Sequence, residues 1–203
     1  MAAVFDSTLL LFALLNPFLM SAYLIELIRG CSKAEFASIV LRASTIAAVV
    51  FAVFAIGGDA VFSDVLQVRF ESFVIFGGIV FLVTGLRMTL SGRVALVRLR
   101  GSPGQIAGSI AMPFMTGPGT VSAAVMIGNT LQPGAALTAI AAALVTSVGS
   151  ILGFKFLHDF VHHRNEALVQ RYVEIVGRVT ALFVGTYAVE MLLDGFEGIA
   201  GSS

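Results

Sequence analysis

Six long apolar runs dominate this sequence, and they constrain its fold more than any other feature. Each is about as long as the roughly 20 apolar residues that a helix needs to cross a bilayer. Because 58% of the 203 residues are hydrophobic and only 12% are charged, a soluble domain of this size has too little interior to bury them. The runs cover residues 4–28, 38–62, 70–90, 105–128, 135–156 and 172–193.

These runs predict an all-α, polytopic membrane protein with six transmembrane helices, since lipid offers no hydrogen-bond partners to an unpaired backbone. The composition also argues against a soluble enzyme. Twelve Lys and Arg balance twelve Asp and Glu, so net charge indicates no nucleic-acid partner. The expected partners are the lipid bilayer and a small-molecule substrate.

The distribution of basic residues predicts the orientation in the cell (inner) membrane. Eleven of the twelve lie in the loops between runs one and two, three and four, or five and six, or in the ends of the runs that flank those loops, and only Arg69 falls on the opposite side. By the positive-inside rule, both termini are expected outside, in the periplasm. The eleven are Arg29, Lys33, Arg42, Arg87, Arg93, Arg98, Arg100, Lys155, Arg164, Arg171 and Arg178.

The two halves of the chain resemble each other. Similar five-residue segments begin at Pro17 and Pro113, 96 residues apart, and two glycines in the third run recur 100 residues later in the sixth. A duplicated unit of three helices crosses the membrane an odd number of times, so the second copy is expected to be inverted relative to the first. The prediction is one transmembrane domain, 1–203, with repeats at about 4–90 and 105–193 and a cytoplasmic linker at 91–104. The alternative is chance recurrence of short apolar words.

Two of the six predicted helices are expected to be broken near mid-membrane. Asn16 is a good N-cap and Pro17 is favoured at a first helical position, so a half-helix is expected to begin there. In the fourth run, two glycines around Pro118 cannot continue a regular helix, and Thr116 or Thr120 is expected to cap the next half-helix.

Each half-helix start would present free N–H groups and partial positive charge at mid-depth, where a substrate carboxylate could bind. The alternative is a pair of proline kinks that neighbouring helices accommodate. No cofactor or metal is expected, and coupling to H⁺ or Na⁺ is open. The candidate substrate-binding residues are Asn16, Pro17, Ser21, Thr116, Gly117, Pro118, Gly119 and Thr120.

Some residues outside the breaks have two interpretations. Glu71, within a turn of the predicted outer surface, is either solvated at the interface or part of a gate or proton relay. His158 is interpreted as a solvated loop residue. Gly149 and Gly153 form a small-xxx-small pair that indicates close helix packing, either within one subunit or in a homo-oligomer.

The sequence resembles the MarC family of six-span membrane proteins, within the lysine-exporter superfamily. The matching pieces are residues 15–18, 76–82 and 112–120, of which the Gly117-Pro118-Gly119 word is the most specific. The resemblance implies transport of small neutral amino acids. This chain departs from the family pattern in its first break, where Leu19 and Ala22 replace an expected glycine and proline.

The predicted function is therefore that of a secondary transporter, and not of an enzyme. It would move a small neutral amino acid or similar metabolite through a midplane site at the two broken helices. The alternative is a drug or metabolite efflux protein, or a passive channel of the same fold, without amino-acid specificity.

Overall fold

A computed structural model of the chain describes residues 1–58, 60–91, 102–162 and 166–201. It does not describe the side chains at 22, 26, 88, 91, 113, 114, 161–174, 176–178 and 180. The described residues form helices and short turns with no β-strand among them, which confirms the all-α prediction. The helices are α1 (Ala2–Leu15), α2 (Pro17–Tyr23), α3 (Ile25–Gly30), α4 (Lys33–Gly57), α5 (Phe70–Ser91), α6 (Pro103–Ser109), α7 (Pro118–Thr130), α8 (Pro133–His162) and α9 (Glu166–Gly201), with π-helical segments at Val61–Leu66 and Ile110–Met115.

Four segments of the described chain are long and apolar enough to cross a membrane, where the sequence predicts six. The fourth apolar run is divided between α6 and α7, and neither half is long enough by itself. The sixth run lies in α9, where most side chains of the first half are outside the described part. Residues 92–101 of the predicted linker also lie outside the described residues. The four segments are Ala2–Ser21, Lys33–Gly57, Phe70–Arg87 and Pro133–Phe160.

Helices from the two halves of the chain pack on one another. α4 packs against α6 and α7, and α8 packs against α1 and α2. α4 also contacts α8, and α5 packs along α9. Corresponding helices begin 101 residues apart at Pro17 and Pro118, and 100 apart at Lys33 and Pro133. The helix starts thus give a spacing of 100 to 101 residues, against 96 for the sequence segments at Pro17 and Pro113, and the repeat stays a prediction.

Glycines allow α5 to approach its neighbours closely. A Cβ atom on Gly77 would overlap the ring of Pro118, at the start of α7. A Cβ on Gly85 would lie 3.0 Å from the backbone nitrogen of Gly185 in α9. The third helix of each half therefore meets the other almost backbone to backbone.

A second close approach joins α4 to α7. A Cβ atom on Gly128 would lie 2.6 Å from the carbonyl carbon of Ala55 and 2.8 Å from its Cα, and closer still to its carbonyl oxygen. Since the obstructing atoms belong to the backbone, no side-chain rotation could make room. Only glycine fits at position 128.

The predicted small-residue contact in α8 is not made within this chain. Gly149 and Gly153 are exposed, and a Cβ atom on either would meet nothing within 4 Å among the described residues. The sequence spacing is right for close packing, but the other faces of α8 are the ones turned toward α1, α2 and α4. The homo-oligomer stays a prediction.

Lys155 joins two helices, a structural role that its prediction as a basic residue beside a cytoplasmic loop does not include. It lies in α8 with its side chain only 7% exposed. Its ammonium group donates hydrogen bonds of 2.6 Å to the carbonyl of Ile28, in the last turn of α3, and 2.8 Å to Asp159. The long side chain thus stabilises the C-terminal end of a short helix. His158 is also buried in α8, so its interpretation as a solvated loop residue is wrong.

Candidate functional site

The first break separates α1 from α2 at a single residue, Asn16. Its backbone is left-handed, with φ 41° and ψ 75°, a conformation that Asn tolerates better than most residues. Its side-chain oxygen accepts a 3.1 Å hydrogen bond from the N–H of Leu19, so Asn16 caps α2 as predicted. Pro17 begins α2, and the hydroxyl of Ser21 donates a 2.7 Å hydrogen bond to the Pro17 carbonyl.

The second break, between α6 and α7, is longer. Met112 interrupts the π-helical segment with an extended backbone, φ −120° and ψ 122°. Thr116 and Gly117 are also non-helical, and α7 begins at Pro118. The predicted break is therefore present and extends over about one turn of chain.

Both threonines of the second break donate hydrogen bonds to backbone carbonyl groups within the break, two of which also accept from a backbone N–H. The Thr116 hydroxyl donates to the carbonyl of Ala111 at 2.8 Å. The Thr120 hydroxyl donates to the carbonyls of Met115 and Gly117 at 2.7 and 2.8 Å. These bonds hold the unwound turn in one conformation.

The prediction that Thr116 or Thr120 caps α7 is wrong. The N-cap is Gly117, and no side chain caps the helix. Because a nearby backbone carbonyl competes with an amide for a threonine hydroxyl, the threonines donate to carbonyls of residues 111, 115 and 117 instead. The N–H groups of Gly119 and Thr120, both buried residues, are left without a side-chain cap.

α9 lies beside both breaks. It packs against α2, which begins at the first break. At the second break, a Cβ atom on Gly119 would lie 2.9 Å from Cε1 of Tyr187 and 3.5 Å from the sulfur of Met191. The hydrogen bonds of the predicted site residues stay within each break, so the facing of the two half-helix starts stays a prediction.

A cavity of about 500 Å³ lies between α1, α5, α7 and α9, within the roughly 300–1,000 Å³ typical of small-molecule sites. The eight predicted site residues are not among the described residues that line it. Tyr187 and Met191 line it, however, and both contact Gly119, so the cavity reaches the second break. Its polar lining consists of Glu71, Ser122, Asn129, Tyr187 and Asp194.

Sequence reasoning missed most of this cavity. Of its polar residues, only Glu71 is singled out from the sequence, as an open choice between solvation and a functional role. A helical spacing was nevertheless available, since Ser122 and Asn129 are seven residues apart in α7, and Tyr187 and Asp194 are seven apart in α9. That spacing places each pair on one face of its helix.

Comparison with known proteins agrees with this architecture. The family model described as "MarC family integral membrane protein" matches residues 1–200. The chain belongs to the MarC family. It is 23% identical over 199 residues to a UPF0056 membrane protein of Aquifex aeolicus, which covers 93% of this chain and 90% of the relative. It is 22% identical over 201 residues to a UPF0056 membrane protein of Pyrococcus horikoshii, with coverage of 97% and 94%. No solved structure matches the chain.

The MarC match confirms the resemblance found in the sequence, and the chain is an integral membrane protein. The structure also shows the backbone at the first break, where Leu19 departs from the family pattern. Where glycine is expected, Leu19 donates its N–H to the Asn16 side chain in the first turn of α2. Helix resumes directly after Asn16, so the first break is much shorter than the second.

Proposed function

We propose that this MarC protein is a secondary transporter that moves a small neutral amino acid, or a similar small metabolite, across the cytoplasmic membrane. Its substrate passes a midplane site at the two helix breaks. The protein is not an enzyme, and coupling to H⁺ or Na⁺ stays open. Six membrane-spanning segments, arranged as two inverted repeats of three, form the transport domain.

The second break is the observation that carries this proposal. Unwound backbone within a membrane protein is tolerated where it is buried in protein or lines a water-filled space. Here the buried, uncapped N–H groups of Gly119 and Thr120 lie one turn from a cavity lined by Ser122. Such amides and the positive end of the α7 dipole suit a substrate carboxylate.

The exchange of packing between the two halves supports the repeat. α4 packs on α7 and α8 packs on α2, and α5 and α9 pack on each other. Inverted repeats of this kind place substrate sites at broken helices near the bilayer centre. With eleven of twelve basic residues on the cytoplasmic side, both termini and the cavity face the periplasm.

A passive channel, or an efflux protein without amino-acid specificity, is the competing function. The size of the cavity favours a transporter over a channel, because about 500 Å³ suits one small solute at a time. Tyr187 and Met191, which line the cavity, lie against Gly119 at the second break. A channel requires a continuous path, whereas a transporter requires a site that is closed on one side.

Flux into proteoliposomes tests the proposal. Purified protein should accumulate labelled alanine, glycine or serine above the level of empty vesicles when a Na⁺ or proton gradient is imposed. Gly117→Leu should abolish this flux, because a large side chain at the buried N-cap of α7 fills the break. Gly134→Leu is the control, since a Cβ atom on Gly134 meets nothing within 4 Å in the described part of the chain.

Size-exclusion profiles of both variants separate loss of transport from loss of folding. Normal flux through a monodisperse Gly117→Leu protein would show that the substrate does not pass the second break. Equal permeation with and without a gradient, unaffected by competing amino acids, would favour a channel.

A further inference from the structure

We propose that α3 is a gate at the end of the protein opposite the cavity, and that the side chain of Lys155 is the latch that holds it closed. The role of a gate rests on the proposed function, whereas the opening of α3 does not and can be measured without transport. The buried ammonium group of Lys155, the carbonyl that it bonds and the position of both relative to the cavity carry the inference.

The cavity and Lys155 lie at opposite ends of the helices. The cavity is lined by the end of α7, which lies against Ala55 in the last turn of α4. At the other end of α4, the ammonium group of Lys33 lies 4.9 Å from the ring centre of Phe156, the neighbour of Lys155 in α8. Lys33 and Ala55 are 22 residues apart, or about 33 Å at 1.5 Å per residue. Under the proposed orientation, the Lys155 end is the cytoplasmic one.

The carbonyl of Ile28, in the last turn of α3, needs a donor from outside the helix. In a continuing helix it would accept from the N–H of Ser32, four residues later. That N–H donates instead to the carboxylate of Glu35, at 3.0 Å, in the capping box that begins α4. Lys155 supplies a donor at 2.6 Å, so a side chain from the other half of the chain holds the end of α3.

α3 itself is short and lies between two non-helical residues. It contains only the six residues Ile25–Gly30. Leu24 precedes it with φ −86° and ψ 8°, and Cys31 follows it with φ −102° and ψ 149°. Residues at the ends of an element are the ones that absorb the rotations of a hinge. Leu27 and Ile28 are buried, so a movement of α3 about these hinges uncovers the interior at this end.

Three consecutive residues of α8 hold three different elements here. The ring of Phe154 lies 5.1 Å from that of Phe18 in α2, edge to face. Lys155 bonds α3, and the ring of Phe156 receives Lys33 at the start of α4. Phe18 and Phe156 are each more than half exposed, whereas the Lys155 side chain is only 7% exposed. Lys155 is therefore the member of the three that closes the interior.

Lys155 can release α3 without leaving its charge unpaired. Its ammonium group also donates to Asp159, one turn further along α8, at 2.8 Å, and the Asp159 side chain is 26% exposed. This ion pair lies within one helix and persists when the bond to Ile28 breaks. Because an unpaired charge in a protein interior is costly, the second partner makes the contact with α3 reversible.

The corresponding contact at the cavity end is of a different kind. Counted 100 residues along the chain, Ile28 corresponds to Gly128 and Ala55 to Lys155, which is the spacing of the predicted repeat. There the backbone of Gly128 lies directly against the carbonyl of Ala55. Main-chain atoms of two long helices make that contact, whereas a flexible side chain and a six-residue helix make the one at Lys155. The contact at Lys155 is therefore the one that can open alone.

Alkylation of Cys31 tests the gate. It is the only cysteine in the sequence, it is the C-cap of α3, and it packs against the core. Purified protein in nanodiscs is treated with N-ethylmaleimide well below its thermal midpoint. Lys155→Met should label more than about tenfold faster than wild type, because a charged hydrogen bond that holds α3 is lost. Arg42→Met, at an exposed position of α4, should label within about twofold of wild type.

Hydrogen exchange separates movement of α3 from general loosening of the protein. In Lys155→Met the amides of α3 should exchange faster, while those of residues 39–51 in α4 should match wild type. In proteoliposomes the variant should also lower the initial rate of alanine uptake more than about threefold. The reason is that a gate that does not stay closed slows the return of the binding site to the outside.

Three results would overturn the proposal: equal Cys31 labelling in Lys155→Met and wild type, exchange that rises in α4 as much as in α3, or alanine uptake at the wild-type rate despite faster labelling. Where Lys155→Met is not monodisperse, Lys155→Gln, with a shorter and uncharged side chain, serves instead and should label at least about threefold faster. Because labelling and exchange need no substrate, a protein in which α3 opens as described but that carries no flux would refute the proposed function and leave the opening of α3 standing.

Discussion

Replacing Gly128 with alanine should force α4 and α7 apart. The new methyl group would lie 2.6 Å from the carbonyl carbon of Ala55 and 2.8 Å from its Cα. Carbon atoms in ordinary contact are about 3.5–4.0 Å apart, so the two helices must separate by about 1 Å. A gap of that size removes roughly a quarter to a half of the attraction between the atoms that face each other.

The expected cost follows from two opposing effects. Overpacking typically destabilises a protein by about 1–3 kcal/mol, and the upper end applies here because the obstruction is backbone. Alanine recovers about 1 kcal/mol through its better helix propensity. The net loss is about 2 kcal/mol, which corresponds to a fall of roughly 4–8 °C in the thermal midpoint for a chain of this length.

Heating detergent-solubilised protein and measuring the fraction that remains monodisperse by size exclusion gives the midpoint. Gly149→Ala is the matched control, because it adds the same methyl group to a helix at a point where none of the residues that the structure describes lies within 4 Å. Its midpoint should equal or slightly exceed that of wild type. A Gly128→Ala midpoint at or above the wild-type value would refute the packing of α4 on α7 described above.

Two further substitutions test the helix ends. Asn16→Ala loses the cap of α2 and places alanine in the left-handed conformation, so it should cost about 2 kcal/mol. Glycine at position 16 adopts that conformation without strain, so Asn16→Gly should lower the stability by only a few tenths of a kcal/mol. Equal thermal midpoints for the two variants would contradict the capping geometry. Lys155→Met leaves the Ile28 carbonyl and the Asp159 carboxylate without their shared donor. Because Asp159 still reaches water, the expected loss of stability is about 2 kcal/mol. Arg42→Met, at an exposed position, is the control and should be near neutral. A thermal midpoint of Lys155→Met equal to that of Arg42→Met would refute the role of Lys155.

Local chemistry is what the sequence predicts well. Asn16 and Pro17 specify both the break and its cap, because Asn accepts from a helix amide and Pro prefers a first helical position. The glycines around Pro118 likewise predict the second break. Both signals act within a few residues, so no knowledge of the fold is needed to read them.

The errors arise where a residue chooses between partners that only the fold brings near. The threonines of the second break bond carbonyls, although a cap was equally compatible with their sequence. From the sequence, Lys155 is one of the basic residues that flank a loop, and only the fold brings the end of α3 next to its ammonium group. The cavity was missed because its lining comes from four helices that are far apart in the chain.

The contact between α5 and α9 has a mechanical consequence. At Gly85 and Gly185 the two helices meet through main-chain atoms, so few side chains interlock across the seam there. Elsewhere in the same contact, Leu192 of α9 is seated against Gly78 and Ile75 of α5 against Gly195. A shear displacement of one helix along the other would therefore have to move those two side chains, whereas the main-chain contact at Gly85 and Gly185 would resist it least.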